Sequence, residues 1–138
     1  MQWFFSGSTA DVRLFAGFVP TYAEYPYEVH IYSRRHFASL LDMSDDEGAD
    51  FMAGLQRQVR IYDGLFGYEL PLMMGVHQEP VDGGEYPYYH FHVEFYPLHR
   101  SRDRIKYNAG SETSGGAFTN PTSPEEKAHE LRNTNDER

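Results

Sequence analysis

Four stretches of the chain have the hydrophobic pattern of β-strands. An apolar run at 12–22 predicts the first strand, and alternation of apolar and polar residues at 27–32 predicts the second. Two further runs, 70–77 and 88–98, lie on either side of the turn-rich connection Pro80–Gly84. These two runs therefore predict a strand–loop–strand unit whose strands are antiparallel.

The spacing of apolar residues predicts one long helix in the middle of the chain. Ser44 and Glu47 form a capping box, the pattern that satisfies free backbone N–H groups at a helix start. The apolar stripe of this helix is expected to contain Met52, Leu55, Val59 and Tyr62. A Ser-Pro pair followed by two glutamates predicts a short helix beginning after Ser123. Together these elements predict an α+β fold: an antiparallel sheet with one long and one or two short helices.

Length and composition are those of one folded domain. The chain has 138 residues, of which 40% are hydrophobic and 16% aromatic, and this aromatic content excludes a wholly disordered protein. We expect the domain to span residues 12–132, after an irregular N-terminal segment at 1–11. A polar tail is expected at 133–138.

Charge and cysteine content exclude several classes of function. The net charge of −9 argues against binding to nucleic acid or to an anionic membrane. No apolar run is long enough to cross a bilayer, and the first residues lack the features of a signal peptide. The chain has no cysteine, which excludes disulfides, thiolate metal sites and a cysteine nucleophile. The absence of cysteine is compatible with a reducing cytoplasm, and any metal must bind to histidine and carboxylate.

Candidate chemistry is concentrated in the last predicted strand. Side chains alternate along a strand, so His90, His92 and Glu94 are expected on one face, with the apolar residues between them facing the core. His77, at the end of the neighbouring strand, can reach the same face. Imidazole and carboxylate ligands suit zinc or iron. The alternative is a solvated sheet face of alternating polar residues, and the phase of Glu94 together with the place of His77 favours a site.

Four other polar residues have two readings each. Lys106 and Glu112 flank a glycine-containing loop, where a lysine can offset phosphate charge and a glutamate can accept hydrogen bonds from sugar hydroxyls. Composition alone favours ordinary surface charge for both. His30 and His36 are interpreted as partly buried, hydrogen-bonded side chains rather than metal ligands.

Six short motifs follow one another in a specific order. They are Phe18–Ile31, Arg35-His36, Tyr62–Phe66, Gly75–His77, His92–Pro97 and Gly110–Glu112. Taken together they resemble the C-terminal half of galactose-1-phosphate uridylyltransferase, over roughly residues 12–132. The resemblance implies a histidine-triad-like α+β unit and a cytoplasmic enzyme of galactose metabolism. It also implies the family reaction, in which UMP is exchanged between UDP-glucose and galactose 1-phosphate through a uridylylated histidine.

The resemblance also implies which residues bind a metal. His77 and His92 match ligands of a structural zinc or iron ion. Many family members have a histidine as third ligand at the position of Glu94, and a glutamate from the N-terminal half as fourth. The site formed by this chain is therefore expected to be incomplete.

The resemblance implies that this half of the enzyme contacts the substrate, whereas the other half contains the catalytic nucleophile. Lys106 and Glu112 match residues that contact the sugar and phosphate of the nucleotide sugar, partly across a dimer interface. Ser111 and Phe118 stand where neighbouring members have Tyr and Gln. The family nucleophile belongs to a His-Pro-His-Gly-Gln motif of the N-terminal half, which this sequence does not contain. The chain alone is therefore expected to have little or no transferase activity.

These observations support one leading hypothesis and two alternatives. The leading hypothesis is the C-terminal half of a hexose-1-phosphate uridylyltransferase that binds UDP-hexose and hexose 1-phosphate. It would be a truncated product or one part of a split enzyme, paired with an N-terminal half chain or with itself through an exposed apolar sheet edge. The second is a stand-alone histidine-triad-like nucleotide hydrolase or transferase that uses His92. The third is a non-catalytic, metal-stabilised binding domain.

Overall fold

An antiparallel sheet of five strands forms the centre of the fold. The computed structural model describes residues 2–6 and 13–136. Its strands are β1 (Gln2–Ser6), β2 (Phe15–Val19), β3 (Val29–Ser33), β4 (Leu72–His77) and β5 (His92–Pro97). Their order across the sheet is β1-β2-β3-β5-β4, so β5 lies between β3 and β4, and β4 is an edge strand. The predicted antiparallel pairing of the strands within 70–98 is confirmed as the β4–β5 pair. A ribbon of β6 (His99–Ser101) and β7 (Arg104–Ile105) follows β5.

Three α-helices accompany the sheet in the described residues: α1 (Asp45–Phe66), α2 (Gly110–Gly115) and α3 (Pro124–Asp136), together with a 3-10 turn at Leu40–Asp42. The predicted capping box of α1 is confirmed, because the Glu47 carboxylate accepts from the Ser44 N–H at 2.9 Å and the Ser44 hydroxyl accepts from the Glu47 N–H. The helix ends at Gly67, whose φ of 77° lies in the left-handed region that glycine adopts most easily. The predicted α+β class, with one long helix, is confirmed. None of the helices in the described residues is long and apolar enough to cross a membrane.

One face of the sheet packs against α1 and α3 to form the core. The inward side chains of β5 and its neighbours alternate as predicted; they are Val29, Ile31, Phe91, Val93 and Phe95. Leu131 of α3 and Ile61 of α1 close the core from the helix side. The opposite face of β3 and β5 therefore carries their polar residues, which is where the candidate site lies.

The buried stripe of α1 differs from its predicted position by one residue. Met52 and Val59 are exposed, at 53% and 41% of their surface, although both were expected in the core. Tyr62 is buried as predicted, but the other buried positions on this side are Phe51, Gly54, Gln58 and Ile61. Phe51 sets this phase, because its ring lies 5.2 Å from that of Phe15 and 5.5 Å from that of Phe91. Because one of the buried positions is the polar Gln58, the spacing of hydrophobic residues does not predict the buried side of this helix.

The ends of the chain are more regular than expected. The N-terminal segment, 1–11, was expected to be irregular, but residues 2–6 form β1 and pair with β2. The rest of that segment lies outside the described residues. In the expected polar tail, α3 continues to Asp136, beyond the predicted domain end at residue 132.

We expect the exchange of Phe51 for alanine to destabilise the protein by about 3–5 kcal/mol, because it leaves a cavity between α1 and the sheet. Met52→Ala is the matched control, and it should change stability by less than about 1 kcal/mol because that side chain is half exposed. Urea denaturation of both variants measures the difference. Equal losses in the two variants would contradict this orientation of α1.

Candidate metal centre

The register of three neighbouring strands brings the candidate ligands together. In the β4–β5 pair, His77 lies directly opposite His92. In the β3–β5 pair, His30 lies opposite Glu94. Directly opposite residues have side chains on the same face, so these four lie side by side on the face away from α1.

His77, His92 and Glu94 converge on a small volume. The distance from His77 Nε2 to Glu94 Oε2 is 3.0 Å, and that from His92 Nε2 to Glu94 Oε1 is 3.4 Å. The rings of His77 and His92 stack with their centroids 4.7 Å apart. One ligand atom from each residue lies within 4.8 Å of the other two, an arrangement that could hold a metal ion. The structure thus brings together three of the four residues that the sequence singled out, without His90.

The orientation and tautomer of the His92 ring would allow it to bind a metal through Nε2. Its Nδ1 donates to the carbonyl oxygen of His90 at 2.8 Å, so in the neutral ring the lone pair is on Nε2, which faces Glu94. A ring N–H held by a carbonyl is the usual support of a metal-binding histidine. Burial lowers the pKa of His92, and this outweighs the hydrogen bond to His90, which raises it. The neutral ring, the form that binds metals, is therefore favoured.

Glu94 remains ionised in this half-buried place. Burial raises the pKa of its carboxyl group, but two effects outweigh burial: the hydrogen bond donated by the Tyr96 hydroxyl, and the positive charge that His30, His77 and His92 carry when they are protonated. The net pKa therefore lies below its ordinary value. A carboxylate that stays charged beside two imidazoles gives the centre a negatively charged oxygen that a divalent cation can bind.

His90 and His36 form a separate pair. His90 precedes β5; its Nε2 donates to the carbonyl oxygen of Ser33 at 2.7 Å, and its Nδ1 lies 3.1 Å from Nδ1 of His36. His36 Nε2 donates to the carbonyl oxygen of Pro87. His36 is hydrogen-bonded as predicted, but it is exposed rather than partly buried. His90 is not one of the converging ligands, so the predicted row of three is reduced to His92 and Glu94.

His30 lies beside the three converging residues. Nε2 contacts the Glu28 carboxylate at 2.8 Å, so His30 is hydrogen-bonded as predicted, but at 3% exposure it is fully rather than partly buried. Its Nδ1 faces Glu94 Oε1 at 3.5 Å. Sequence reasoning missed this proximity. The available signal was the strand pattern, because His30 belongs to the polar face of 27–32.

Lys106 and Glu112 form a buried ion pair, so the reading of both as ordinary surface charges is wrong. They are only 7% and 5% exposed, and the distance from Lys106 Nζ to Glu112 Oε1 is 2.6 Å. The Glu112 carboxylate also accepts from the N–H groups of Ala109 and Thr119, and thereby fixes the loop around α2. The Lys106 ammonium lies 4.7 Å from the centre of the Tyr25 ring, a cation–π contact.

An apolar groove lies between this ion pair and the candidate metal centre. Its lining includes Tyr25, Met73, Met74, Tyr96 and Phe118. Tyr96 is the residue that donates to Glu94, and the rings of Tyr25 and Phe118 both lie next to the Lys106 ammonium. Residues that line the groove therefore contact both groups of charged residues.

Comparison with known proteins identifies the family. The family model for the galactose-1-phosphate uridyl transferase C-terminal domain matches residues 9–137. The chain belongs to this family. A galactose-1-phosphate uridylyltransferase of Thermotoga maritima is 45% identical to this C-terminal domain over 125 residues, which are 90% of this chain and 39% of that protein. The chain thus spans about two fifths of the length of that relative.

Solved structures agree with this assignment. A uridylyltransferase structure superimposes on 99% of this C-terminal domain and on 41% of its own chain, with a TM-score of 0.86 and 32% identity. A zinc-bound histidine triad protein of Mycobacterium smegmatis covers 89% of this chain and 78% of its own, with a TM-score of 0.58 and 16% identity. This last similarity shows the fold alone, and it confirms the expected histidine-triad-like architecture.

Because Glu112 is stabilised in its ionised form, we expect the free energy of unfolding of this C-terminal domain to decrease in acid. The hydrogen bond from Lys106, with those from the backbone of Thr119 and Ala109, holds the pKa of Glu112 at about 2, below its ordinary value of 4.5. Because the folded-state pKa is lower than that of the unfolded chain, the pair stabilises fully above about pH 4.5 and loses its effect as the pH falls towards about 2.

We therefore expect Glu112→Gln to lower the urea midpoint at neutral pH and to reduce its decrease between about pH 5 and pH 3. Some decrease should remain, because the Arg35 hydrogen bond also holds the pKa of Glu47 at about 2. The exposed Glu85→Gln is the matched control and should behave as the parent protein. An unchanged pH dependence in Glu112→Gln would contradict the role given to this pair.

Proposed function

We propose that this chain is the C-terminal half of a uridylyltransferase that moves UMP between a UDP-hexose and a hexose 1-phosphate. The similarity to the Thermotoga maritima galactose-1-phosphate uridylyltransferase, at 45% identity over 90% of the chain, is the observation that carries this proposal. The cysteine-free composition is compatible with a reducing cytoplasm, which is the location that we propose.

The reaction requires a nucleophilic histidine and donors that stabilise charge on the transferred phosphate. The chain has no His-Pro-His-Gly-Gln motif, so we assign the nucleophile to a companion N-terminal half. Strand β4 is the edge at which that half would bind, because Met73, Met74 and Val76 expose apolar surface there. An edge strand of this kind is a ready template for pairing with another chain. A second copy of this chain is the alternative occupant.

His77, His92 and Glu94 are proposed to hold a structural zinc or iron ion. Two imidazoles and an ionised carboxylate are the donor set that these metals bind, and the three ligand atoms already lie within 4.8 Å of one another. A bound ion would supply positive charge at the end of β4 and join this edge strand to β5. The hydrogen bonds of His92 with the His90 carbonyl oxygen and of Glu94 with the Tyr96 hydroxyl would hold these two side chains in position for the ion.

Lys106 and Glu112 are proposed to contact the sugar and phosphate of the substrate. An ammonium has three N–H donors, and among the described residues Glu112 is the acidic partner of Lys106, so donors remain for a phosphate. The place of the pair beside the aromatic groove supports this role, because a sugar in the groove would lie between Lys106 and the metal centre.

The purified chain should show no detectable exchange of UMP between UDP-glucose and galactose 1-phosphate, because it supplies no nucleophile. Radiolabelled galactose 1-phosphate provides a sensitive assay. Turnover by this polypeptide, at a rate that follows its concentration through purification, would overturn the division of labour proposed above.

A chimera tests the positive side of the proposal. In it, this chain replaces the matching 125 residues of the Thermotoga maritima relative, and we expect exchange activity to be retained. In the chimera, Lys106→Ala should lower kcat/KM by about tenfold or more, because a hydrogen bond to a charged group contributes about 1.5–3 kcal/mol. Arg102→Ala, which removes an exposed cation, is the control and should leave activity unchanged. A folded, metal-loaded chimera without activity would instead favour a metal-stabilised binding domain.

The geometry of His92 bears on the second hypothesis, a stand-alone nucleotide hydrolase. Its Nε2 faces the Glu94 carboxylate at 3.4 Å, a position that supports the role of ligand over that of nucleophile. We expect no phosphoramidate on His92 after incubation with a nucleotide and rapid quenching. Detection of this adduct by mass spectrometry would reverse the order of the two hypotheses.

A further inference from the structure

His30 is fixed in one tautomer by a buried carboxylate. Glu28 is itself buried, and its Oε2 accepts from the backbone N–H groups of Glu24 and Tyr25, at 2.6 and 3.0 Å. Its other oxygen lies 2.8 Å from His30 Nε2. A carboxylate held in this way only accepts hydrogen bonds, so Nε2 of His30 carries the proton.

Within residues 2–6 and 13–136, no group forms a hydrogen bond with the other ring nitrogen of His30. Nδ1 is buried and, in the neutral ring, carries a lone pair. It faces Oε1 of Glu94 at 3.5 Å, so two electron-rich atoms face each other although solvent cannot reach Nδ1. Buried polar atoms normally have a partner, and this contact becomes favourable only when a cation, a proton or a metal, lies beside it.

The contact between His30 and Glu28 resembles the support of a metal-binding histidine. A carboxylate that holds one ring nitrogen and leaves the other free is the arrangement found behind metal-binding histidines. The free nitrogen is turned to the same carboxylate that His77 and His92 contact, and the rings of His30 and His92 are 6.4 Å apart.

We propose that His30 is a fourth protein ligand of the metal centre, beside His77, His92 and Glu94. This inference rests on the metal site of the proposed function. Three imidazoles and one carboxylate make a four-coordinate set, the number that structural zinc sites use. The resemblance assigns the fourth ligand to the N-terminal half. With His30 the centre is complete within this chain, which then binds its metal without a partner.

Metal binding by the purified full chain tests the inference. After removal of metal with a chelator, zinc is titrated against a chromophoric competitor, and cobalt absorption reports the ligand set. The parent chain should bind one ion. His30→Gln should weaken binding more than tenfold and alter the cobalt spectrum, and Glu28→Gln should weaken it by about 10–100-fold because it releases the ring. His129→Gln, the same substitution at an exposed histidine on α3, is the control.

A second variant keeps the test decisive if His30→Gln folds poorly. His30→Cys places a thiol at the same position, and ligation of cobalt by the thiolate gives a strong charge-transfer band in the near ultraviolet. Absence of this band, or unchanged affinity and spectrum in a folded His30→Gln, overturns the role of His30 alone. Failure of the parent chain to bind any ion overturns the metal site itself.

Discussion

The pairing of β5 with β3 on one side and β4 on the other is the constraint on which the rest of the structure depends. Side chains alternate across a strand, so a shift of one residue would move every side chain of β5 to the opposite face. Burial of Phe91, Val93 and Phe95 against the helices excludes such a shift. The same packing therefore fixes His92 and Glu94 on the outer face, opposite His77 and His30. The hydrophobic core thus determines the geometry of the polar site.

Buried acids are a recurrent feature of this domain, and each is held by several donors. Glu28 accepts from two backbone N–H groups and from His30, and Glu112 accepts from Lys106 and two backbone N–H groups. A buried carboxylate is tolerated only when it is paired in this way. These acids act as fixed points around which the loops before β3 and after β7 close. Some of the negative charge of the chain is therefore buried, where it holds loops in place through hydrogen bonds.

Strand β1 was not predicted, since the segment 1–11 was expected to be irregular. Strands β2 to β5 and the convergence of His77, His92 and Glu94 could be predicted from the sequence, because period-two alternation and strand phase are local properties. The phase of α1 could not. Gln58 is buried while Met52 and Val59 are exposed, and only the packing of Phe51 against the sheet determines this. The burial of Lys106 and Glu112 depends on a loop that closes through the N–H of Thr119, a contact without a signature in composition. His30 resembled an ordinary core histidine because its neighbour Glu94 lies 64 positions further along the chain and meets it only through the register.

The proposed metal ligands are divided between an edge strand and an interior one. His77 ends β4, which has one neighbour among the described strands, whereas His92 and Glu94 belong to β5, which has two. Fraying of β4 would remove one ligand and leave the others in place. By thermodynamic reciprocity, whatever anchors this strand, whether an ion at its end or a polypeptide along its free side, strengthens the hold of the other by the same factor. Binding of an ion at the end of β4 and binding of a partner chain along its edge are then coupled equilibria.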